Sequence, residues 1–243
     1  MRSDTVENTY RYHYSPEDLD IKFKVNDIFK SIQGESSSAG FPTTFVRLYG
    51  CNLKCSYCDQ PQGSYREMTI RDILTEVRRL KLYRVCLTGG EPLIQKNWIA
   101  LAYLLSKNFL QVTIETNGCC EIPYLPVRNF HFIMDVKTPS SGEREKNLYS
   151  NLGNLNNKDE VKFVVKDEED LEFFSKFFHN FFHIFNRRDI DGNAPLLLVS
   201  PVIEDGLDKK WAQRVADFIT CFHTPLDQTV RVQVQLHKVL GVK

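Results

Sequence analysis

The chain reads as an α/β protein whose parallel sheet, flanked by helices, curls into an open partial barrel, a (β/α)6 arrangement. Two observations predict this. From residue 44 onward, short apolar β-branched runs alternate with helical segments, the pattern of parallel strands joined by crossovers. Polar and glycine-rich residues then follow directly after those runs, at strand carboxyl ends, the face on which α/β barrels build their sites. The count of about six βα units falls short of the eight of a closed barrel, so the barrel should stay open.

Taken in order, residues 1–22 are polar and aromatic-rich without a clear period and form an N-terminal extension; 23–243 form one domain. Alternation over Phe23–Ile32 predicts a strand, followed by Gln33-Gly34-Glu35 and a Ser/Gly-rich loop to Pro42. A second strand at 44–49 leads through Gly50 into a cysteine loop ending near Tyr65. Thr69 is the expected N-cap of a helix from Ile70 to about Leu80, with Ile73, Leu74 and Val77 on one face. Strands are then expected at 84–88, 111–115, 131–135, 161–165, 196–199 and 230–234. Helices are expected near 98–105, 167–182 and 210–222.

Composition bounds the function. Of the residues, 42% are hydrophobic and 26% charged, as in soluble globular proteins. The 31 basic residues balance 31 acidic ones, so no net field draws the chain to nucleic acid or to a membrane. No run approaches the roughly 20 apolar residues of a spanning helix, and the first residues carry no apolar secretory core. An odd number of cysteines, three of them clustered, suits a reducing cytoplasm better than a disulfide scaffold.

Those three lie in one window, Cys51-Asn-Leu-Lys-Cys55-Ser-Tyr-Cys58. Three thiolates on one loop can hold a [4Fe–4S] cluster at three iron corners; full ligation takes four cysteines, so one iron keeps an open position. Zinc is the alternative, as the core of a non-catalytic binding module, but it would want a fourth ligand nearby. No second Cys-x2-Cys or His-x3-His follows, and Cys86, Cys119, Cys120 and Cys221 stand singly or adjacent. Gly89-Gly90-Glu91-Pro92 follows a strand directly. It reads either as a tight strand-to-helix turn or as a place where backbone and a carboxylate approach a cationic amine.

Cys-x3-Cys-x2-Cys with an aromatic before its last cysteine, followed by Gly-Gly-Glu, resembles the radical S-adenosylmethionine (SAM) superfamily. The resemblance implies that Cys51, Cys55 and Cys58 hold a [4Fe–4S] cluster whose open iron chelates SAM. An electron from the cluster then cleaves SAM to a 5′-deoxyadenosyl radical that takes hydrogen from substrate. The cofactor carries this chemistry, and the protein supplies orientation and excludes water. It further implies SAM contacts from Tyr57 (against the adenine), Cys58, Asp59, Gly89, Gly90, Glu91 (on the methionine amine), Thr116 and Ser140 (on the ribose).

The family narrows through Ser31-Ile32-Gln33-Gly34-Glu35, Gly40-x-Pro42, Phe45-Val46-Arg47-Leu48, Asp135-Val-Lys137-x-Pro-Ser-Ser-Gly142 and Gln235-x-His237-Lys238. From Phe23 onward the chain resembles 7-carboxy-7-deazaguanine synthase, a lyase of queuosine precursor biosynthesis. That implies conversion of 6-carboxy-5,6,7,8-tetrahydropterin to 7-carboxy-7-deazaguanine with loss of ammonia. Ile32, Gln33, Gly34, Glu35, Arg47, Thr88 and His237 become the substrate candidates, with Glu35 and Arg47 also counted as catalytic. Glu35 and Gln33 suit the amide and guanidine-like edges of a pterin, and Arg47 suits a carboxylate; a structural Glu35–Arg47 pair is the alternative. The family usually places a Mg2+-binding threonine after Cys-Asp, where this chain has Gln60. Gln60 is therefore expected either to coordinate Mg2+ from a shifted backbone or to bind the substrate carboxylate through its NH2 and weaken the metal requirement; the second is favoured, because Pro61 stiffens the backbone where a shift would be needed. A flavodoxin or ferredoxin-type electron donor and a homodimer are expected, in the cytoplasm. The rival enzyme is a radical SAM activase of a glycyl radical protein.

Overall fold

The protein was analysed as a computed structural model, which describes residues 15–60, 63–125, 127–185, 194–222 and 230–243. Most of the extension (1–14) and Pro61 lie outside the described residues. Among the described residues, nine strands make one sheet in the order β3-β1-β2-β4-β5-β6-β7-β8-β9. β1 (Lys22–Ile32) is antiparallel to both β2 (Pro42–Leu48) and β3 (Arg66–Thr69). From β2 the sheet is parallel through β4 (Arg84–Gly89), β5 (Gln111–Thr116), β6 (Phe130–Asp135), β7 (Glu160–Val165), β8 (Leu196–Pro201) and β9 (Val230–Val232). The first and last strands are not hydrogen-bonded to each other, so the barrel is open.

The helices follow their local signals. Thr69 Oγ1 accepts from Asp72 N (3.1 Å) and Asp72 Oδ2 accepts from Thr69 N (3.0 Å), a reciprocal cap that starts α1 (Ile70–Arg79). Its Ile70, Ile73, Leu74 and Val77 are buried against the sheet. α2 (Trp98–Asn108) crosses from β4 to β5 and α3 (Glu168–Asn180) from β7 to β8, followed by the single turn α4 (Phe182–Phe185). α5 (Lys209–Thr220) leads to β9, and α6 (Leu236–Leu240) ends the described chain. Asp167 and Asp208 cap α3 and α5 by accepting from backbone N–H groups of the first turn.

Two differences from the sequence reading matter for the site. β3 was not foreseen: its four residues bury only Met68, too little for a period to show. The last strand stops at Val232 rather than 234, because Gln233 N bonds Val199 O (3.0 Å) and the chain then turns inward to deliver Gln235 and His237.

Parallel strands covered on both faces are apolar throughout, so the charged Lys162 in Val161-Lys-Phe-Val-Val165 and His131 in Phe130-His-Phe-Ile-Met134 stand out. His131 is 6% exposed and lies 3.3 Å from both Thr113 Oγ1 and Gln111 Nε2. Burial pushes its pKa down to about 4. The folded chain therefore refuses a proton that the unfolded chain accepts below about pH 6.5, and stability is lost as pH falls from there toward 4. The expected loss is on the order of 1.4 kcal/mol per pH unit in that window. Urea unfolding should show this slope, and His131→Asn should flatten it; an unchanged slope in the variant would place its origin elsewhere.

Candidate active site

Alternate residues on the parallel strands face one cavity: Arg47 on β2, Thr88 on β4, Glu115 on β5, Ile133 and Asp135 on β6, and Lys162 on β7. Cys51, Cys55 and Cys58 enter it from the loop after β2. Gln33, Gly34 and Glu35 enter from the β1–β2 connection, so the cavity has a thiol-lined part and a carboxylate-lined part.

The cysteine loop is pinned to its neighbours by backbone. Lys54 N donates to Glu143 Oε1 (2.6 Å) and Ser56 N to Ser141 O (3.0 Å), both in the connection after β6. Cys51 Sγ accepts from Leu53 N (3.4 Å) and Asn117 Nδ2 (3.8 Å). Such N–H donors stabilise a thiolate, and hydrogen bonds to sulfur tune a cluster. The glycine pair after β4 is explained by crowding: a Cβ on Gly89 would lie 2.2 Å from Leu48 O, and one on Gly90 2.3 Å from Gly50 O. Only glycines let the end of β4 lie against the cysteine loop.

No group of three His, Cys, Asp or Glu side chains among the described residues is gathered tightly enough to hold a single metal ion. The donor chemistry fits a [4Fe–4S] group: three cavity-lining thiols on one loop, with N–H donors on Cys51 and the Lys137 ammonium beside Cys55.

Most expected SAM contacts line the cavity: Tyr57, Cys58, Asp59, Gly89, Gly90 and Thr116. Tyr57 OH lies 3.4 Å from Thr138 Oγ1. Asp59 pairs with Lys238 on α6 (2.8 Å); burial would raise its carboxyl pKa, but this ammonium holds it below the ordinary range. Two of the expected contacts, Glu91 and Ser140, stand outside the cavity lining and are held by protein partners. Glu91 does not line the cavity: it is fully buried, and its carboxylate accepts from Asn117 N (2.6 Å), Leu93 N (2.9 Å) and Thr116 Oγ1 (2.9 Å). Burial raises its pKa to about 7. It shapes the turn that presents Thr116 and Asn117, and does not reach into the cavity. Ser140 is likewise turned away, giving its hydroxyl and its N–H (3.0 Å) to Asp170 on α3.

In the other part, every expected substrate residue lines the cavity: Ile32, Gln33, Gly34, Glu35, Arg47, Thr88 and His237. Gln33 Nε2 donates to Glu115 Oε1 (3.1 Å) and Thr88 Oγ1 to Glu115 Oε2 (2.8 Å). The alternative Glu35–Arg47 pair is not formed. Glu35 pairs with Lys162 and accepts from Gln235 Nε2 (2.5 Å), while the Arg47 guanidinium lies 5.1 Å from the Phe29 ring centroid and its buried Nε has no partner. Lys162 also pairs with Asp135 Oδ1 (3.1 Å), and Lys137 with Asp135 Oδ2 (2.9 Å). Burial alone would lower both lysine pKa values; their carboxylate neighbours, Asp135 foremost, more than offset it and raise them. Two acids and two ammoniums thus alternate from the floor toward Cys55. Gln60 lines the cavity with Nε2 given to Asp59 Oδ1 (3.0 Å) and a buried Oε1 without a partner.

Lys162, Gln235 and Asp135 were assigned no role by the sequence reading. The signal for Lys162 was present, a lone charge in a central strand. Gln235 and Asp135 stand in the motifs that carry the resemblance but had no role there, since only the curl of the sheet brings them to Glu35 and Lys162.

A half-open parallel barrel with three thiols on the loop after its first parallel strand defines a radical SAM protein, and residues 45–121 match the family described as the Radical SAM superfamily. More specifically, the 7-carboxy-7-deazaguanine synthase of Methanospirillum hungatei is 39% identical over 226 residues, 90% of this chain and 86% of its own. That of Koribacter versatilis is 32% identical over 232 residues, 89% and 96% of the two chains. The chain belongs to the 7-carboxy-7-deazaguanine synthase family. The crystal structure of QueE from Escherichia coli shares the fold, with a TM-score of 0.68 at 22% identity over 89% of this chain and 95% of that one.

Proposed function

We propose that this radical SAM lyase converts 6-carboxy-5,6,7,8-tetrahydropterin to 7-carboxy-7-deazaguanine and ammonia, with the substrate held between the thiols and the Glu35 floor. The observation that carries this is the continuous cavity joining the cysteines to buried Gln33 and Glu35 and half-buried Arg47. Cys51, Cys55 and Cys58 would hold the [4Fe–4S] cluster, and Tyr57, Gly89, Gly90 and Thr116 would surround SAM; together these groups supply a hydrogen-abstracting radical when bound. The chain's own work is to bind, orient and keep water out. Arg47, with an unspent buried Nε, takes the substrate carboxylate. Glu35 takes the pyrimidine edge, and Gln33, Thr88 and His237 flank it. A flavodoxin or ferredoxin-type protein would reduce the cluster of a cytoplasmic homodimer; no described helix is long and apolar enough to cross a membrane. The test is anaerobic turnover of carboxytetrahydropterin with SAM and reductant, watching for the deazaguanine; uncoupled SAM cleavage without product would refute the substrate assignment.

Gln60 supports a Mg2+ role more than a direct substrate contact. Asp59 accepts only, so Nε2 must face it, leaving Oε1 as a neutral, partnerless oxygen of the kind Mg2+ takes alongside waters. Chelator-treated enzyme should regain turnover with added Mg2+, and Gln60→Thr should not increase that dependence. In parallel, Mn2+ as a paramagnetic probe should bind the unaltered enzyme and lose at least tenfold in affinity in Gln60→Leu. Equal Mn2+ binding in both would remove Gln60 from the metal.

A further inference from the structure

The floor of the cavity carries hydrogen-bonding capacity that no protein group uses. Gln235 gives Nε2 to Glu35 Oε1, and because a carboxylate only accepts, this neighbour fixes the amide orientation. Its Oε1 is then left over, buried and without a partner. Lys162 has three donors; Glu35 takes one, and Asp135 Oδ1 lies 3.1 Å away as an ion-pair partner, so at least one donor is unspent. Glu35 accepts once at each oxygen and keeps lone pairs on both. All three side chains line the cavity, with Glu35 between the other two.

We propose that Gln235, Glu35 and Lys162 form a three-position reader, acceptor–acceptor–donor, for the 2-amino-4-oxo edge of a fused pyrimidine. That edge runs donor (2-amino), donor (N3–H), acceptor (O4), so each unspent group meets its complement. The inference rests on the pterin reading and deepens it: Glu35 alone accepts from almost any amidine, whereas Gln235 demands the 2-amino group and Lys162 demands the oxo group. A 4-amino ligand would set a donor against the ammonium, which is rejection by an unpairable contact. The contraction of the neighbouring ring leaves this edge unchanged. The reader therefore holds substrate and product alike, which strengthens binding without favouring the chemical step.

The test is anaerobic calorimetry on SAM-loaded holoenzyme with three probes: 7-deazaguanine, its analogue lacking the 2-amino group, and its 2,4-diamino counterpart. The unaltered enzyme should prefer 7-deazaguanine over each by about 10- to 100-fold, the effect of one hydrogen-bonding group left unpaired. Gln235→Met should erase the first preference and keep the second; Lys162→Met should do the reverse. If both variants lose affinity for all probes equally with preferences intact, the side chains only shape the pocket and the reader is refuted. If Lys162→Met does not fold, the unaltered enzyme still decides: equal binding of 7-deazaguanine and the diamino probe overturns the assignment. Turnover of carboxytetrahydropterin is measured beside these. Turnover without probe preference refutes the reader alone, and no turnover with no binding of any 2-amino-4-oxo probe refutes the pterin reading with it.

Discussion

Cys55→Ala is expected to give a protein without a cluster and without SAM cleavage, whereas Cys86→Ala keeps both. Cys55 lines the cavity on the loop that holds the other two thiols, and losing one of three leaves too few thiolates to fix three iron corners. Cys86 is fully buried on β4, and burial keeps its thiol pKa well above normal, which makes it a small core side chain and a poor ligand. Its loss removes one buried sulfur, a change on the order of 1 kcal/mol. Iron and sulfide content after anaerobic purification decides the matter; equal iron loss in the two variants would overturn the ligand assignment.

Glu35→Gln and Arg47→Ala are expected to abolish ring-contracted product while leaving uncoupled SAM cleavage largely intact. Glu35 sits in the ladder beside Lys162 and Gln235, away from the cysteine loop, and Arg47 presents its unspent Nε from β2. Removing one partner of a buried charged hydrogen bond costs roughly 2–5 kcal/mol, or about 30- to 4,000-fold in affinity. Substrate binding by calorimetry separates this from a folding defect. Unchanged pterin affinity in both variants would make these side chains structural and move the pocket elsewhere.

Much of this was legible in the sequence because it is local. Cys51, Cys55 and Cys58 are one loop, Thr69 caps its own helix, and apolar runs such as Val85–Leu87 need no partner to be recognised as strands. Glu91 shows where that reading stops. A carboxylate after two glycines invites a ligand, yet those glycines accommodate Leu48 O and Gly50 O, and the carboxylate turns inward to Asn117 and Thr116. Ser140 likewise has its partner, Asp170, on a later helix, out of reach of any local window. The ladder from Glu35 to Lys137 draws on a hairpin loop and two separate strands, and no window of sequence holds those together.

The way Glu35 meets Gln235, with Leu236 N on Gly34 O (2.8 Å) and Gly34 tucked beneath His237, carries a consequence for the order in which the protein is made. Among the described residues, the hydrogen bonds that leave the cysteine loop, residues 51–60, run to partners between Asn117 and Glu143, and Asp59 adds an ion pair to Lys238. During synthesis, which proceeds N-terminal first at about 5–20 residues per second, a nascent chain can therefore gather its cysteine loop well before the Glu35–Gln235 floor exists. The floor waits for residues 233–237 to emerge and close back across some 200 positions, the kind of long-range closure that is slow to form. A chain that lacked residues 233–237 would thus keep its cysteine loop and lose the contact that orients Glu35.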